Sequence, residues 1–181
     1  MIELEGNITV LKTLEREHCK KLWREHEVDE DHPTQSFEPG KSIEKADEWF
    51  EDMQEKQGEE HYYLGIFKKE DELVGDIQLA NIDWKNRTAT LGIGISKKED
   101  RGKGYGSDAS RTILKFGFEH LDLHRVSART FEFNKPAIKL LEKNGFELEG
   151  REKEAAFISG DRYDRFIYGL LRNKFKEELK V

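Results

Sequence analysis

The feature that most constrains this chain is a charged, glycine-rich loop between a strand-like segment and a helix-like segment. Residues 88–96 alternate apolar and small residues, as a half-buried strand does, and residues 109–116 repeat apolar residues at helical spacing. Glycines at positions 102, 104 and 106 free the intervening backbone to adopt positive φ. Because the first N–H groups of a helix have no intrahelical partner, this loop is suited to hold an anion such as pyrophosphate.

Three phosphate-binding motifs can be compared with this loop. No window contains G-x-x-x-x-G-K-[ST], the nucleotide-triphosphate P-loop, and the third glycine comes one residue too early for the dinucleotide motif G-x-G-x-x-G. The run Arg101-Gly102-Lys103-Gly104-Tyr105-Gly106 fits [RQ]-x-x-G-x-[GA]. It resembles the coenzyme A pyrophosphate loop of the GNAT superfamily of N-acetyltransferases. An ordinary glycine-rich turn is the alternative interpretation.

Length, charge and cysteine content limit the number of domains, the kind of partner and the cellular compartment. The 181 residues suffice for one domain spanning 1–181, and a net charge of −7 disfavours nucleic acid and favours cationic partners, although solubility explains the same charge. Cys19 is the single cysteine, which excludes an internal disulfide and suits a reducing cytoplasm. It falls on an apolar stripe and is expected to be a buried structural thiol. The acidic start, residues 1–5, and the absence of a long apolar run predict neither a signal peptide nor membrane association.

Hydrophobic periodicity along the chain predicts the element order β-α-α-β-β-β-α-β-α-β-β. Thr13 is expected to cap the first helix, and Asn134-Lys135-Pro136 to open the last one. Ser159-Gly160-Asp161 is expected to form the turn of a final hairpin. The sequence therefore predicts an α/β fold with a mixed central sheet flanked by helices.

A second motif strengthens the resemblance. The stretch from Asn134 to Phe146 resembles the N-x-x-A-x-x-x-x-x-x-x-G-F segment of the GNAT superfamily, and the element order matches along nearly the whole chain. The last three segments, around residues 146–150, 158–164 and 168–171, resemble one subgroup. That subgroup holds ribosomal-protein N-terminal acetyltransferases of the Rim type and spermidine acetyltransferases. The resemblance implies a GNAT-like fold whose cofactor-binding core is about residues 88–150.

The resemblance also implies how acetyl-CoA binds. In the family, the strands before the loop and after its helix splay apart, and the pantetheine arm fills the gap. Backbone groups there pair with pantetheine, and one N–H polarises the thioester carbonyl. The loop would hold the pyrophosphate. Asn134 would contact the cofactor, although a helix cap is its alternative role. The implied cofactor-binding residues are Ile93, Gly94, Ile95, Arg101, Gly102, Lys103, Gly104, Tyr105, Gly106 and Asn134.

The implied reaction is direct attack of a primary amine in a ternary complex, without a protein nucleophile or a metal. The expected partner is an amine substrate, either a small molecule or a protein N-terminus, with no nucleic acid and no membrane; a homodimer is left open. Two positions depart from the family pattern, since the usual leaving-group tyrosine is Leu141 and the usual glutamate base is Thr90. Four other residues are candidate bases: Asp76, Asp83, Glu154 and His32. A coenzyme A-binding regulatory or interaction module with little turnover is the alternative function.

The acceptor is expected to enter from the face opposite the cofactor. The wall on one side of that opening is expected to be Val28 to Lys41, which carries Asp29, Glu30, Asp31 and Glu38. The terminal hairpin around Phe157 to Tyr163 is expected to close the other side. An acidic wall would attract a cationic amine. A loop without acceptor contact is the alternative.

Overall fold

A computed structural model of the protein describes residues 1–25 and 42–178, with side chains up to residue 175. Eight strands form one mixed sheet in the order β1-β2-β3-β4-β5-β6-β8-β7. The strands are β1 (Glu3–Glu5), β2 (Thr9–Thr13), β3 (Tyr62–Lys68), β4 (Leu73–Asp83), β5 (Thr88–Ile95), β6 (Arg125–Phe131), β7 (Glu147–Ile158) and β8 (Asp161–Leu171). The helices are α1 (Arg16–Glu25), α2 (Glu44–Lys56), α3 (Tyr105–Glu119), α4 (Lys135–Lys143) and α5 (Arg172–Glu178).

The mixed α/β fold expected from the sequence is confirmed, with two additions. The three-residue strand β1 and the helix α5 are not in the predicted order. Thr13 as a helix cap is wrong: it lies in β2, where its Oγ1 accepts the Ile2 N–H at 2.8 Å, and α1 begins only at Arg16. The hairpin turn is confirmed, since Ser159 and Gly160 have φ values of 53° and 95°.

Helices cover both faces of the sheet, and the sheet separates the core into two clusters. Leu64, Ile77 and Leu79 on β3 and β4 pack with α3 in the larger cluster. Phe67 and Leu73 pack with α1 and α2 residues, including Cys19, in the smaller one. Successive side chains of a strand point to opposite faces, so Tyr63 and Phe67 face α1 and α2 whereas Leu64 faces α3. In the described part of the chain, no helix is long and apolar enough to cross a membrane.

The buried thiol predicted at Cys19 is confirmed. Its side chain is fully buried in the smaller cluster. Burial raises the pKa of this thiol to about 12, which keeps it protonated and unreactive near neutral pH.

Candidate active site

A cleft opens in the sheet where strands β5 and β6 separate. These parallel strands pair at only three positions, of which Thr90 opposite Ser127 is the last. Beyond it, β5 stays paired with β4 as far as Ile95, and β6 stays paired with β8 as far as Phe131. The gap holds a cleft of about 500 Å³ lined by residues of both strands. The predicted splay of these two strands is therefore present in the structure.

One wall of the cleft is built by α4. Ala137, Leu140 and Leu141 line it, and Leu141 is only 4% exposed because it also belongs to the larger core cluster. Asn134 stands at the start of α4, where its Oδ1 accepts the Ala137 N–H at 3.2 Å, and it also lines the cleft. Its role as a helix cap is thus present, and its position leaves the same side chain beside any molecule in the cleft.

The strand β5 supplies the opposite edge of the gap. Ile93 and Gly94 line the cleft, and beyond Thr90 their strand has no partner on the β6 side among the described residues. Ile95 lies at the end of β5, where its carbonyl accepts a hydrogen bond from Arg101 Nε at 3.2 Å. Two of the three predicted backbone positions therefore border the cleft directly, while the third anchors the following loop.

The glycine-rich loop lies at the end of β5 and leads into α3. Gly102 and Gly104 have φ values of 76° and 93°, a region that favours glycine, and Gly104 is the residue before the first turn of α3. A side-chain carbon at Gly102 would meet nothing within 4 Å, and one at Gly104 only Ile8 Cδ1 at 3.5 Å. The loop is thus an open cradle at a helix N-terminus, the arrangement that binds phosphate oxygens.

The remaining loop residues have contacts of their own. A side-chain carbon at Gly106 would approach Leu140 Cδ1 to 3.1 Å, so this glycine allows α3 and α4 to pack closely. Tyr105 is partly buried against the larger core cluster, with Lys68 Nζ 5.6 Å from its ring centroid. Lys103 is exposed, and its Nζ lies 3.6 Å from Oδ1 of the buried Asp100. Lys103 consequently brings a positive charge to the rim of the cradle.

On the face of the sheet covered by α1 and α2, the cleft contains a carboxylate. Asp76 on β4 is partly buried, and its Oδ2 accepts a hydrogen bond from Tyr63 Oη at 2.7 Å. Desolvation raises the pKa of Asp76 to about 6, although the hydrogen bond from Tyr63 acts in the opposite direction. Burial and the neighbouring Asp76 raise the pKa of Tyr63 well above its ordinary value, so the phenol remains a donor. Tyr63 was not among the residues that the sequence singled out.

The other candidate bases lie elsewhere. Asp83 is exposed at the end of β4 and accepts two hydrogen bonds from Asn86, which fixes the turn to β5. Glu154 is exposed at an irregularity of β7, where its N–H donates to Asp164. His32 and the predicted acidic wall from Val28 to Lys41 lie outside the described residues. The structure therefore brings Asp76 alone of the described candidates into the cleft.

The two positions that depart from the family pattern differ in placement. Leu141 lines the cleft, as a leaving-group residue would. Thr90 stands at the last paired position before the gap, with its Oγ1 3.3 Å from Ser127 Oγ. Neither side chain carries a group that titrates near neutral pH.

The terminal hairpin reaches the cleft through a series of aromatic contacts. Phe131 lines the cleft and stacks on Phe133 with ring centroids 5.5 Å apart. Tyr163 on β8 meets Phe133 edge-on at 4.8 Å. The hairpin expected to close one side of the opening is therefore in contact, through Phe133, with Phe131 at the edge of the cleft.

Comparison with known proteins identifies the family. The sequence profile of the acetyltransferase (GNAT) domain matches residues 9–147. The chain belongs to the GNAT acetyltransferase family. The expected enzyme class, an N-acetyltransferase, is confirmed by this membership.

Relatives of two kinds illustrate the range of this acetyltransferase family. A prophage-derived uncharacterized N-acetyltransferase of Bacillus subtilis is 31% identical over 129 residues, which cover 71% of either chain. A spermidine N(1)-acetyltransferase of Vibrio cholerae is 28% identical over 138 residues, covering 76% of this chain and 78% of that protein.

Solved structures agree with the fold along almost the whole length. The crystal structure of a probable acetyltransferase superposes with a TM-score of 0.84 at 25% identity, covering 96% of this chain and 98% of the other. A ribosomal L7/L12 α-N-protein acetyltransferase in complex with coenzyme A gives 0.82 at 19% identity, covering 94% and 98%. These relatives include both kinds of enzyme in the subgroup that the sequence resembles, a spermidine acetyltransferase and a ribosomal-protein acetyltransferase.

Proposed function

We propose that this acetyltransferase transfers an acetyl group from acetyl-CoA to a primary amine, by direct attack of the amine in a ternary complex. The observation that carries the proposal is the separation of β5 from β6 beyond Thr90 and Ser127. It opens a cleft of about 500 Å³ beside backbone that has no strand partner on that side within the described residues. Such a gap can accept an extended arm that bonds to the strand edge.

The residues around the gap are compatible with acetyl-CoA as the cosubstrate. The open turn at Gly102 and Gly104 offers N–H groups to a pyrophosphate, and Lys103 adds positive charge. Arg101 would support this loop through its bond to Ile95 and add charge at its edge. Ile93, Gly94 and Asn134 would flank the pantetheine arm, with Tyr105 and Gly106 packed behind it. The related acetyltransferase solved with coenzyme A has the same fold, which supports this choice.

The acceptor would be a protein N-terminal α-amine or a small amine, possibilities that its ribosomal and spermidine relatives illustrate. No protein nucleophile or metal is part of this mechanism. We keep the cytoplasm as the proposed location, because the single thiol is buried and free.

The experiment is an acceptor panel of small amines and amino-terminal peptides. Release of free thiol from acetyl-CoA would be followed, and the acetylated product identified by mass spectrometry. We expect turnover with at least one primary amine and none with its N-acetylated form. Tight coenzyme A binding without turnover would contradict the proposal.

That outcome would favour the second candidate, a coenzyme A-binding regulatory or interaction module. The specific observation in its favour is Leu141, an apolar side chain that lines the cleft at the position where the family pattern implies a leaving-group tyrosine. Loss of one proton donor typically slows a reaction by about 10²- to 10⁴-fold. Correct positioning of the reactants lowers the activation barrier by about 7–11 kcal/mol, and this contribution does not need a proton donor. The transferase therefore remains the stronger proposal.

A further inference from the structure

We propose that Asp76, held in place by Tyr63, binds the ammonium group of the acceptor and removes a proton from it. This inference rests on the proposed function, since it assigns a role within the same cleft. Asp76 would also supply the base that the family pattern implies at position 90, since the Thr90 hydroxyl cannot act as one. Four sets of observations on the described residues support it.

The first observation is the position of the carboxylate over β5. Asp76 pairs in register with Gly94, and a side-chain carbon built on Gly94 would lie 3.2 Å from Asp76 Oδ1. The next pair along the same face repeats this arrangement, because a carbon on Gly92 would lie 3.1 Å from Gln78 Cγ. Because these two residues are glycines, β5 has no side chains of its own at these positions, and the backbone can be approached from that face. Asp76 Oδ1 occupies the space directly above the backbone proposed to flank the thioester.

The second observation is how the carboxylate is held. Tyr63 Oη donates to Oδ2 at 2.7 Å, and no other hydrogen bond to Asp76 is made by the described residues. Oδ1 therefore remains able to accept a hydrogen bond from a ligand. Because the phenol keeps its proton, Tyr63 is a positioning residue that orients Asp76 and does not itself compete as a base.

The third observation is the aromatic surround. Trp23, Trp49 and Tyr63 all line this half of the cleft, and the rings of Trp49 and Tyr63 meet edge-on with centroids 5.6 Å apart. A desolvated carboxylate among aromatic side chains is a suitable site for an ammonium group, because both the opposite charge and aromatic rings attract a cation.

The fourth observation concerns the charged and titratable groups around Asp76. Tyr63 faces it from β3, and the neutral thiol of Cys19 approaches from α1. Arg129 lines the opposite wall on β6 and is exposed. No second carboxylate lines this cleft in the described part of the chain. A titration near neutral pH within the described cleft is accordingly assigned to Asp76.

In the proposed reaction, the acceptor nitrogen loses two protons and gains a bond to the acetyl carbon. A proton passes from the ammonium nitrogen to Asp76 Oδ1, and the freed lone pair forms the new N–C bond at the thioester carbonyl. When the C–S bond breaks, its electron pair leaves with sulfur. The second nitrogen proton ends on that sulfur, giving the amide and free coenzyme A. Asp76 then releases its proton to solvent.

The test compares Asp76→Asn and Tyr63→Phe with the wild-type full chain, using acetyl-CoA and a primary amine from the acceptor panel. Asp83→Asn is the matched control, because Asp83 lies on the same strand in an exposed turn. Turnover is measured across roughly pH 5–9, together with the Kd for coenzyme A. The kcat/KM of the wild type should rise with pH through an apparent pKa of about 6. This rise is the acid limb of its pH profile.

Asp76→Asn should lower kcat by about 10²- to 10⁴-fold, remove this acid limb and leave coenzyme A affinity unchanged. Tyr63→Phe should retain turnover but shift the limb to higher pH, because the lost hydrogen bond had lowered the pKa of Asp76. Asp83→Asn should match the wild type.

Two results would overturn the inference alone: an Asp76→Asn enzyme that keeps wild-type turnover and its acid limb, or a limb that does not move in Tyr63→Phe. The second variant keeps the test decisive if Asp76→Asn does not fold. A wild type that binds coenzyme A but acetylates no amine would overturn the proposed function, and this inference with it.

Discussion

Replacing Gly104 by alanine tests whether the open turn holds the pyrophosphate. Gly104 has φ of 93°, so a Cβ strains the backbone by about 1–2 kcal/mol in the folded state. For a chain of this length each kcal/mol lowers Tm by about 2–4 °C, giving an expected loss of about 2–8 °C. If the turn relaxes and one charge-assisted hydrogen bond to phosphate is lost, coenzyme A binding weakens by about 1.5–3 kcal/mol, or roughly 10- to 150-fold.

Gly160 provides a matched control for the strain. Its φ is 95°, and a side-chain carbon there would meet nothing within 4 Å, but it lies in the turn of the terminal hairpin. Gly160→Ala should therefore cost similar stability without changing coenzyme A affinity. Thermal unfolding measures the first quantity and titration calorimetry with coenzyme A the second. Equal coenzyme A affinities in the two variants would refute the assignment of this loop to the pyrophosphate.

Two further predictions concern Leu141 and Asp108. Leu141→Tyr should raise turnover or leave it unchanged, whereas Leu141→Ala should chiefly lower the free energy of unfolding, by about 2–5 kcal/mol, because the side chain is 4% exposed; a collapse of turnover at normal stability and binding would contradict this. Asp108 is partly desolvated, which opposes ionisation, but hydrogen bonds from Thr9, Ile8 and Asn7 leave its pKa below the ordinary value. Its contribution is therefore complete above the unfolded-state pKa and lost as pH falls through the folded one, so Asp108→Asn should reduce the acid-side slope of stability against pH, as measured by denaturant unfolding.

Much of the fold was predictable because its signals are local. The alternation along 88–95, the proline and asparagine at the start of α4 and the glycine-rich turn each act within a few residues. The start of α1 was not predictable from local signals, because Thr13 is paired within the sheet. A threonine at this position is compatible with both a helix cap and a strand, and the pairing of Thr13 with Leu64 of β3 and its hydrogen bond with Ile2 decide in favour of the strand.

The elements that build the proposed cofactor site were also predictable, for the same reason. The loop and the segment after Asn134 are continuous motifs, and they meet where Gly106 packs against Leu140 of α4. The proposed acceptor half lies between β3, β4 and the helices α1 and α2, and no continuous sequence motif covers these four elements. Asp76 was one of four candidates. The register of β4 against β5 places it opposite Gly94 beside the cleft, whereas Asp83 lies opposite Thr88 in an exposed turn.

One signal for that acceptor half was present in the sequence, in the glycines of β5. Between residues 91 and 95 this strand has side chains on one face only, because Leu91, Ile93 and Ile95 point to one face and the two glycines to the other. Glycine weakens a strand, so two of them on the same face favour a position where something else approaches the backbone. Here the approaching groups are Asp76 and Gln78 of the neighbouring strand. The pattern thus indicates a face of β5 that carries no side chains of its own at residues 92 and 94. The register of β4 against β5 then identifies the polar residues above that face, so the proposed base could be chosen only after the two strands were aligned.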